Sequence, residues 1–275
     1  MTRAGCRGEG PSTLPTGPLA PHLGEPYFYN VEIILPDRIR RCQSNGARLM
    51  KQVEKRGKGP RGLAKADITR AAISELESVG EAGFTLRKVA ARLGCDPMTI
   101  VYHFRSKEGL FRAMAGWISE QLDGVDATRP WDGRLVQLAE GLRSLALGYP
   151  STFRLMQRFM NTGVSDYKHS ESVLQALEEA GVSEEQLAQL CLGWYACVIG
   201  LALAEVDGLL QPASQTELEE IEMLDPTAFP ITTRCTESFR NLPRGAVFSL
   251  TLETFLLGIR GRAAGGGTRG ACESV

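Results

Sequence analysis

Histidine is scarce in this chain: His22, His103 and His169 are all there are in 275 residues. Seven cysteines (Cys6, Cys42, Cys95, Cys191, Cys197, Cys235 and Cys272) form neither a C-x-x-C pair nor a Cys/His cluster. That excludes a zinc ribbon and a disulfide framework, and it predicts a reducing, cytoplasmic compartment. Cys191 and Cys197 fall in an apolar helix and read as packing residues; Cys95, in a turn, reads as exposed. No Ser/His/Asp arrangement or framed carboxylate pair is present, and the glycine-rich GKGPRG lacks the terminal Lys-Ser/Thr of a phosphate loop. An enzyme is therefore not expected, and neither metal nor cofactor is implied. A formal charge of -1 excludes a protein that coats nucleic acid through basicity throughout. No signal peptide is visible and no continuous run reaches the ~18–20 apolar residues of a membrane span, so no membrane partner is expected.

What the chain does have is 43% apolar residues, enough core for one large or two small domains. Residues 1–60 look foreign to the rest. Gly and Pro dominate up to Pro26, a short apolar piece follows, and Arg48 to Lys65 then carries seven Lys or Arg against Glu54. This leader is expected to form no domain. Its basic arm is either a solvated tail or a strand that follows a phosphate backbone, and the two are compatible. Met50 would serve as an alternative start.

The most informative stretch is Phe84 to Leu110, FTLRKVAARLGCDPMTIVYHFRSKEGL. Thr85 can cap a helix whose inward positions are Leu86, Val89, Ala90 and Leu93, spaced three and four apart. Gly94 ends it, and Asp96 or Pro97 starts a second short helix to His103. Ile100 and Phe104 face inward there, leaving Thr99, Tyr102 and His103 outside, a surface suited to a major groove. A supporting helix precedes the pair, Ala64 to Val79, with Ile68, Ala71, Ala72, Leu76 and Val79 inward and Gly80 as its end. Another follows Ser106 as cap, Lys107 to Leu122, with Leu110, Phe111, Met114, Trp117, Ile118 and Leu122 recurring at helical spacing.

On these residues, from LAKADITRAAISELESVGEAGF through TLRKVAARLG and MTIVYHF to SKEGLFRAM, the sequence resembles the TetR family of transcriptional regulators. The resemblance implies a DNA-reading head over 61–123, with contacts from Leu86, Arg87, Pro97, Met98, Val101, Tyr102, His103 and Lys107. Arg87 then suits a bidentate pair to guanine, Lys107 a phosphate, and Thr99 and Tyr102 donation to phosphate. One departure is that the family's usual tyrosine is Val101 here, with the aromatic next door at Tyr102.

From Trp131 the spacing predicts further helices. One carries Leu135, Leu138, Leu142, Leu145 and Ala146 up to Pro150; others span Ser151 to Met160, Tyr167 to Ala180, Ser183 to Glu205 and Ala246 to Arg260. A proline-containing acidic loop precedes the last. The class is all-α, with a body over 124–262 and a glycine-rich tail over 263–275. The helix from Ser183 is apolar nearly all round, which marks burial on more than one side. The carboxyl-terminal stretch FSLTLETFLLGIRG resembles the tetracycline-repressor type of ligand and dimerisation domain. That likeness implies a homodimer on a double-stranded DNA operator, with Gly193, Ala196, Gly200 and Gly258 permitting close helix approach. It also implies a small organic effector held in the body. Apolar candidates for its site are Leu142, Phe153, Met156, Phe159, Met160, Trp194, Tyr195 and Val198, with Gln157, Asn161 and Glu205 as polar anchors. Gln157 stands about where the tetracycline repressor has a metal-ligating histidine, so a planar or greasy molecule without metal is expected. The competing reading is a helical adaptor whose head binds protein instead of DNA.

Overall fold

A computed structural model describes residues 62–122, 124–159 and 162–265, and among them every regular element is helical. The head comprises α1 (Lys65–Gly83), α2 (Leu86–Leu93), α3 (Pro97–Phe104) and α4 (Lys107–Glu120). Its caps follow the sequence signals. Thr85 accepts a hydrogen bond from the Lys88 amide at 3.2 Å, Asp96 from Met98 at 2.7 Å and Ser106 from Gly109 at 3.0 Å, each satisfying an orphan donor of a first turn. Gly94 closes α2 at φ 63. Ile68, Ala72, Leu76, Phe84, Val89, Ile100, Leu110, Phe111 and Met114 are buried together in the head. The first helix differs from expectation at its end: Gly80 leaves helical geometry at φ 66, ψ 175, yet one more turn follows to Gly83.

The body packs α5 (Trp131–Gly148), α7 (Val164–Glu179), α8 (Glu184–Val206) and α12 (Ala246–Gly265) around Leu138, Leu142, Phe153, Leu177, Trp194, Val198, Phe248 and Leu252. A buried ion pair, Arg143 Nε to Glu205 at 2.6 Å, ties α5 to α8, and the guanidinium lies 4.9 Å from the centre of the Phe248 ring. Between α5 and α7 the expected helix from Ser151 to Met160 is cut short. It is α6 (Pro150–Phe153) followed by a 3₁₀ turn, Arg154–Gln157. Here Phe153 is buried in the body's core and Leu155 in the head's, so the segment is stitched into both.

The expected acidic loop before α12 contains three short helices, α9 (Gln215–Glu222), α10 (Pro230–Arg234) and α11 (Thr236–Arg240). Ser214 and Glu217 form a capping box, and Pro230 occupies the first turn of α10, where a missing amide costs nothing. The last helix also runs five residues beyond Arg260. A further correction concerns α8. It is long and apolar enough to cross a membrane by length and composition, although interrupting glutamines hide this from a count of continuous apolar residues, and only 28% of its most apolar window is buried.

The tightest point of the head is the α3–α4 corner. Arg105 sits there at φ 69, the one non-glycine residue with positive φ among those described. A Cβ placed on Gly109 would lie 2.0 Å from the Phe104 carbonyl oxygen. Backbone cannot yield as a side-chain tip does, so Gly109→Ala is expected to lower stability by about 1–3 kcal/mol in urea unfolding. An unchanged midpoint would show that the corner relaxes freely.

Candidate functional site

The exposed face of the head is built by α2 and α3. Arg87 stands exposed in the first turn of α2 with no ion-pair or hydrogen-bond partner for its side chain among the described residues. On α3, Met98 and Tyr102 are 66% and 78% exposed, one turn apart, while Ile100 and Phe104 on the opposite side are fully or nearly buried. Large side chains left this open are what a groove-entering helix needs and a core helix avoids. Pro97, Thr99, Val101 and His103 are half-buried beside them, as is Leu86 on α2, and the Tyr102 and His103 rings meet edge to face at 5.5 Å.

Lys107 is placed differently from a free phosphate-seeking lysine. Its ammonium donates to the Phe84 carbonyl at 3.2 Å and lies 5.5 and 5.1 Å from the Phe84 and Phe111 ring centres. It thus pins the start of α4 to the corner between α1 and α2, with two of three N–H donors to spare. Arg105, exposed and unpaired among the described residues at the end of α3, is a cation that the sequence reading passed over. Its signal was its place, directly after the reading helix and before the Ser106 cap. The half-buried Cys95 thiol in the turn is pushed up by desolvation and by Asp96, which makes it a poor nucleophile.

The head is fastened to the body at a seam. The Glu77 carboxylate of α1 accepts from the Ser151 and Thr152 amides at 3.0 and 2.7 Å and from the Thr152 hydroxyl at 2.6 Å, capping α6 from the neighbouring domain. Arg158 bridges Glu81 of α1 at 2.7 Å and Glu108 of α4 at 3.0 Å. Arg154, in the same segment, pairs with Asp207 at the end of α8. On the far side of α4, Ser119 is held against α7. Its carbonyl lies 3.1 Å from His169 Nε2, so that nitrogen carries the proton. Burial would raise the Asp166 carboxyl, but hydrogen bonds from Ser119, Thr162 and Gly163 outweigh it and hold the group below its ordinary range.

The residues expected to anchor an effector are dispersed. Leu142, Phe153, Trp194 and Val198 are buried in the body's core, with Met156 and Tyr195 half-buried against it. Gln157 is exposed at the end of the 3₁₀ turn, and Glu205 is engaged by Arg143. Phe159 packs against the head's core instead of the body's. Met160 and Asn161 lie outside the described residues. The Trp194 indole N–H is buried without a hydrogen-bond partner, and burial raises the neighbouring Tyr195 phenol well above its usual range. Among the described residues no group of three His, Cys, Asp or Glu converges as metal ligands would.

Known proteins carry the same two parts. Residues 68–114 match "Bacterial regulatory proteins, tetR family", and residues 126–263, half of the chain, match "Tetracyclin repressor-like, C-terminal domain". A class A tetracycline repressor of Escherichia coli is 28% identical over 144 residues, a match spanning 51% of this chain and 66% of that protein, just under two thirds of its length. ActR of Streptomyces coelicolor, solved with actinorhodin, superimposes with a TM-score of 0.63 at 17% identity, covering 74% of this chain and 99% of its own. BioQ, solved with its double-stranded DNA operator, gives 0.56 at 19% identity over 73% and 99%. With a helix-turn-helix head of the family's pattern joined to a body of the matching kind, this chain belongs to the tetR family of bacterial regulatory proteins and is a DNA-binding transcriptional regulator, not an enzyme.

Proposed function

We propose that the protein binds a pseudo-palindromic operator as a homodimer in the cytoplasm, represses transcription from it, and is released by a small organic effector. The observation that carries the dimer is the outer face of α8 and α12. Leu192, Leu250 and Leu257 are more than half exposed there, beside Ala196, Gly200, Gly258 and Gly261. A Cβ added at Gly193, Gly200, Gly258 or Gly261 would meet nothing within 4 Å. Glycine inside a helix costs roughly 0.5–1 kcal/mol relative to alanine, and nothing among the described residues recoups that cost; a twin helix passing close would. The same covering accounts for the apolar α8 without a membrane. Two heads related by a two-fold axis would read half-sites about one helical turn apart or in adjacent grooves, as a symmetric operator requires. BioQ, solved with its double-stranded DNA operator, is a protein of this fold on DNA.

Gly258→Leu is therefore expected to leave the single chain folded by circular dichroism while weakening the dimer. Light scattering at micromolar concentration should find monomer for this variant and dimer for the parent. A monomeric parent, on and off DNA, would sink the proposal.

At the DNA, Arg87 is assigned to base edges and Lys107 to phosphate, with Leu86, Pro97, Met98, Thr99, Val101, Tyr102 and His103 completing the surface. Arg87→Ala should weaken specific binding by roughly 1–3 kcal/mol and relax preference at one base pair per half-site. Lys107→Ala should weaken all sequences alike and lower the salt slope by roughly 1 per subunit. Unchanged base preference in a selection experiment on Arg87→Ala would remove it as a reader.

For the effector, the buried Trp194 N–H supports a molecule that brings an acceptor to the body's apolar core, since an unmet buried donor costs about 1–3 kcal/mol. ActR with actinorhodin is a protein of this fold holding an organic ligand. Release follows from the seam: a ligand that shifts Phe153 and the 3₁₀ turn displaces Leu155 and Arg158, and with them the head. Coupling is reciprocal, so operator DNA should weaken an effector found by thermal-shift screening about 5 to 150-fold. Equal effector affinity with and without operator, by calorimetry, would leave a constitutive DNA binder.

A further inference from the structure

Among the described residues φ turns positive at six positions, and five of them are glycine: Gly80, Gly94, Gly181, Gly208 and Gly245. The sixth is Arg105, between α3 and α4, at φ 69 and ψ -36. That ψ lies outside the left-handed helical region that asparagine and aspartate tolerate and toward the strained γ-turn geometry. A residue bearing a Cβ stays there only where its surroundings impose it. They do so here. The Arg105 amide completes the last turn of α3 on the Val101 carbonyl at 2.7 Å, and the buried Phe104 anchors the residue before. The Ser106 hydroxyl caps α4 at the Gly109 amide, and the Phe104 carbonyl oxygen is so near that a Cβ on Gly109 would stand 2.0 Å from it. The corner therefore fixes the backbone at this position, and glycine would fill it without strain. An arginine stands there instead, exposed, with no ion pair, hydrogen bond or stacked ring for its guanidinium among the described residues. Glu108, the acid nearest in sequence, is held by Arg158 at 3.0 Å.

We propose that Arg105 is a phosphate clamp, its guanidinium gripping a backbone phosphate at the edge of the groove that α3 enters. The assignment rests on the operator reading above. A side chain that the backbone disfavours and the described protein leaves unmet has its partner outside the chain. Tyr102, three residues earlier and 78% exposed, belongs to the surface proposed for DNA, and Arg105 directly follows it at the end of the same helix. A guanidinium offers five donors in a fork matched to phosphate oxygens. A base edge is the poorer match, because a reading helix meets bases from its amino-terminal residues and Arg105 follows its last turn. Of the two cations at this corner, Lys107 already gives one N–H to the Phe84 carbonyl, and Arg105 keeps all of its donors free.

The test uses the full chain, a duplex selected from a random pool on the parent protein, and an unrelated duplex, in anisotropy titrations between about 50 and 200 mM salt. Arg105→Gln removes the charge and keeps the strain, Arg105→Gly removes both, and Arg105→Lys keeps both. The glutamine and glycine variants should bind both duplexes about tenfold more weakly or worse, with the salt slope lower by roughly 1 per subunit and the base preference unchanged. The lysine variant should keep the parent slope. In the absence of DNA the glycine variant should melt about 2–4 °C above the parent, with the glutamine variant at the parent's midpoint. A glycine variant no more stable than the parent overturns the strain on which the inference stands. Parent-like affinity and slope in the glutamine variant overturn the phosphate contact, and so does a changed base preference, which would make Arg105 a base reader. A parent that binds DNA without selecting any sequence defeats the operator reading while the phosphate contact stands or falls on the unrelated duplex; a parent that binds neither duplex overturns both.

Discussion

The release proposed for this regulator passes through Pro150 to Phe159. Ten residues cannot form a rigid domain, yet this segment gives Phe153 to the core of the body and Leu155 to the core of the head, both essentially inaccessible to solvent. Burying a side chain of that size contributes about 1.5–3 kcal/mol, so neither anchor is surrendered lightly. The polar contacts add direction. Glu77 reaches from α1 to cap α6, Arg158 grips α1 and α4 together, and Arg154 holds the end of α8. The Arg154 and Arg158 pairs are largely exposed and therefore weak individually, roughly 0.2–1 kcal/mol. Their use is as a register: they fix which turn of the segment meets α1, α4 and α8.

The charges of the head divide along the same line. Arg92 is committed to Glu75 at 2.7 Å and fixes α2 on α1, while Lys107 is shared: one N–H holds the Phe84 carbonyl and the others stay open to solvent. Arg87 and Arg105 are exposed without partners among the described residues. A near-neutral chain can read a polyanion if its structural cations are spent inside and its free ones stand on the reading face. Affinity then comes from few phosphates, so binding tolerates salt better than it would for a uniformly basic protein.

The head was legible because its determinants are local. A cap, a left-handed glycine and a proline at N1 act within three or four residues, and Thr85, Gly94, Asp96, Pro97 and Ser106 behave as their types require. The body's long helices, α5, α7, α8 and α12, were legible from period alone, whereas the helix expected over Ser151 to Met160 is broken after Phe153. The seam was not, since Glu77 meets Thr152 and Arg158 meets Glu81 across more than seventy residues, and no spacing rule reaches that far. The helices α9 to α11, of five to eight residues each, are too short for a helical period to show between the prolines that flank or open them.

The glycines of α8 and α12 show how far a pattern constrains what covers a surface. A membrane-spanning helix and a dimer helix share length and mean hydropathy, so α8 by composition suits both. They part in the company they keep. α8 also carries Cys191, Trp194, Val198 and Leu203 into a core closed by α5, α7 and α12, and Glu205 at its end is locked to Arg143. A helix so committed on one side presents a single remaining face. Lipid would accept that face at any depth of side chain, whereas a facing helix asks for small residues where the two backbones cross. Gly200 and Gly258, exposed and with nothing within 4 Å of an added Cβ among the described residues, fit the second demand.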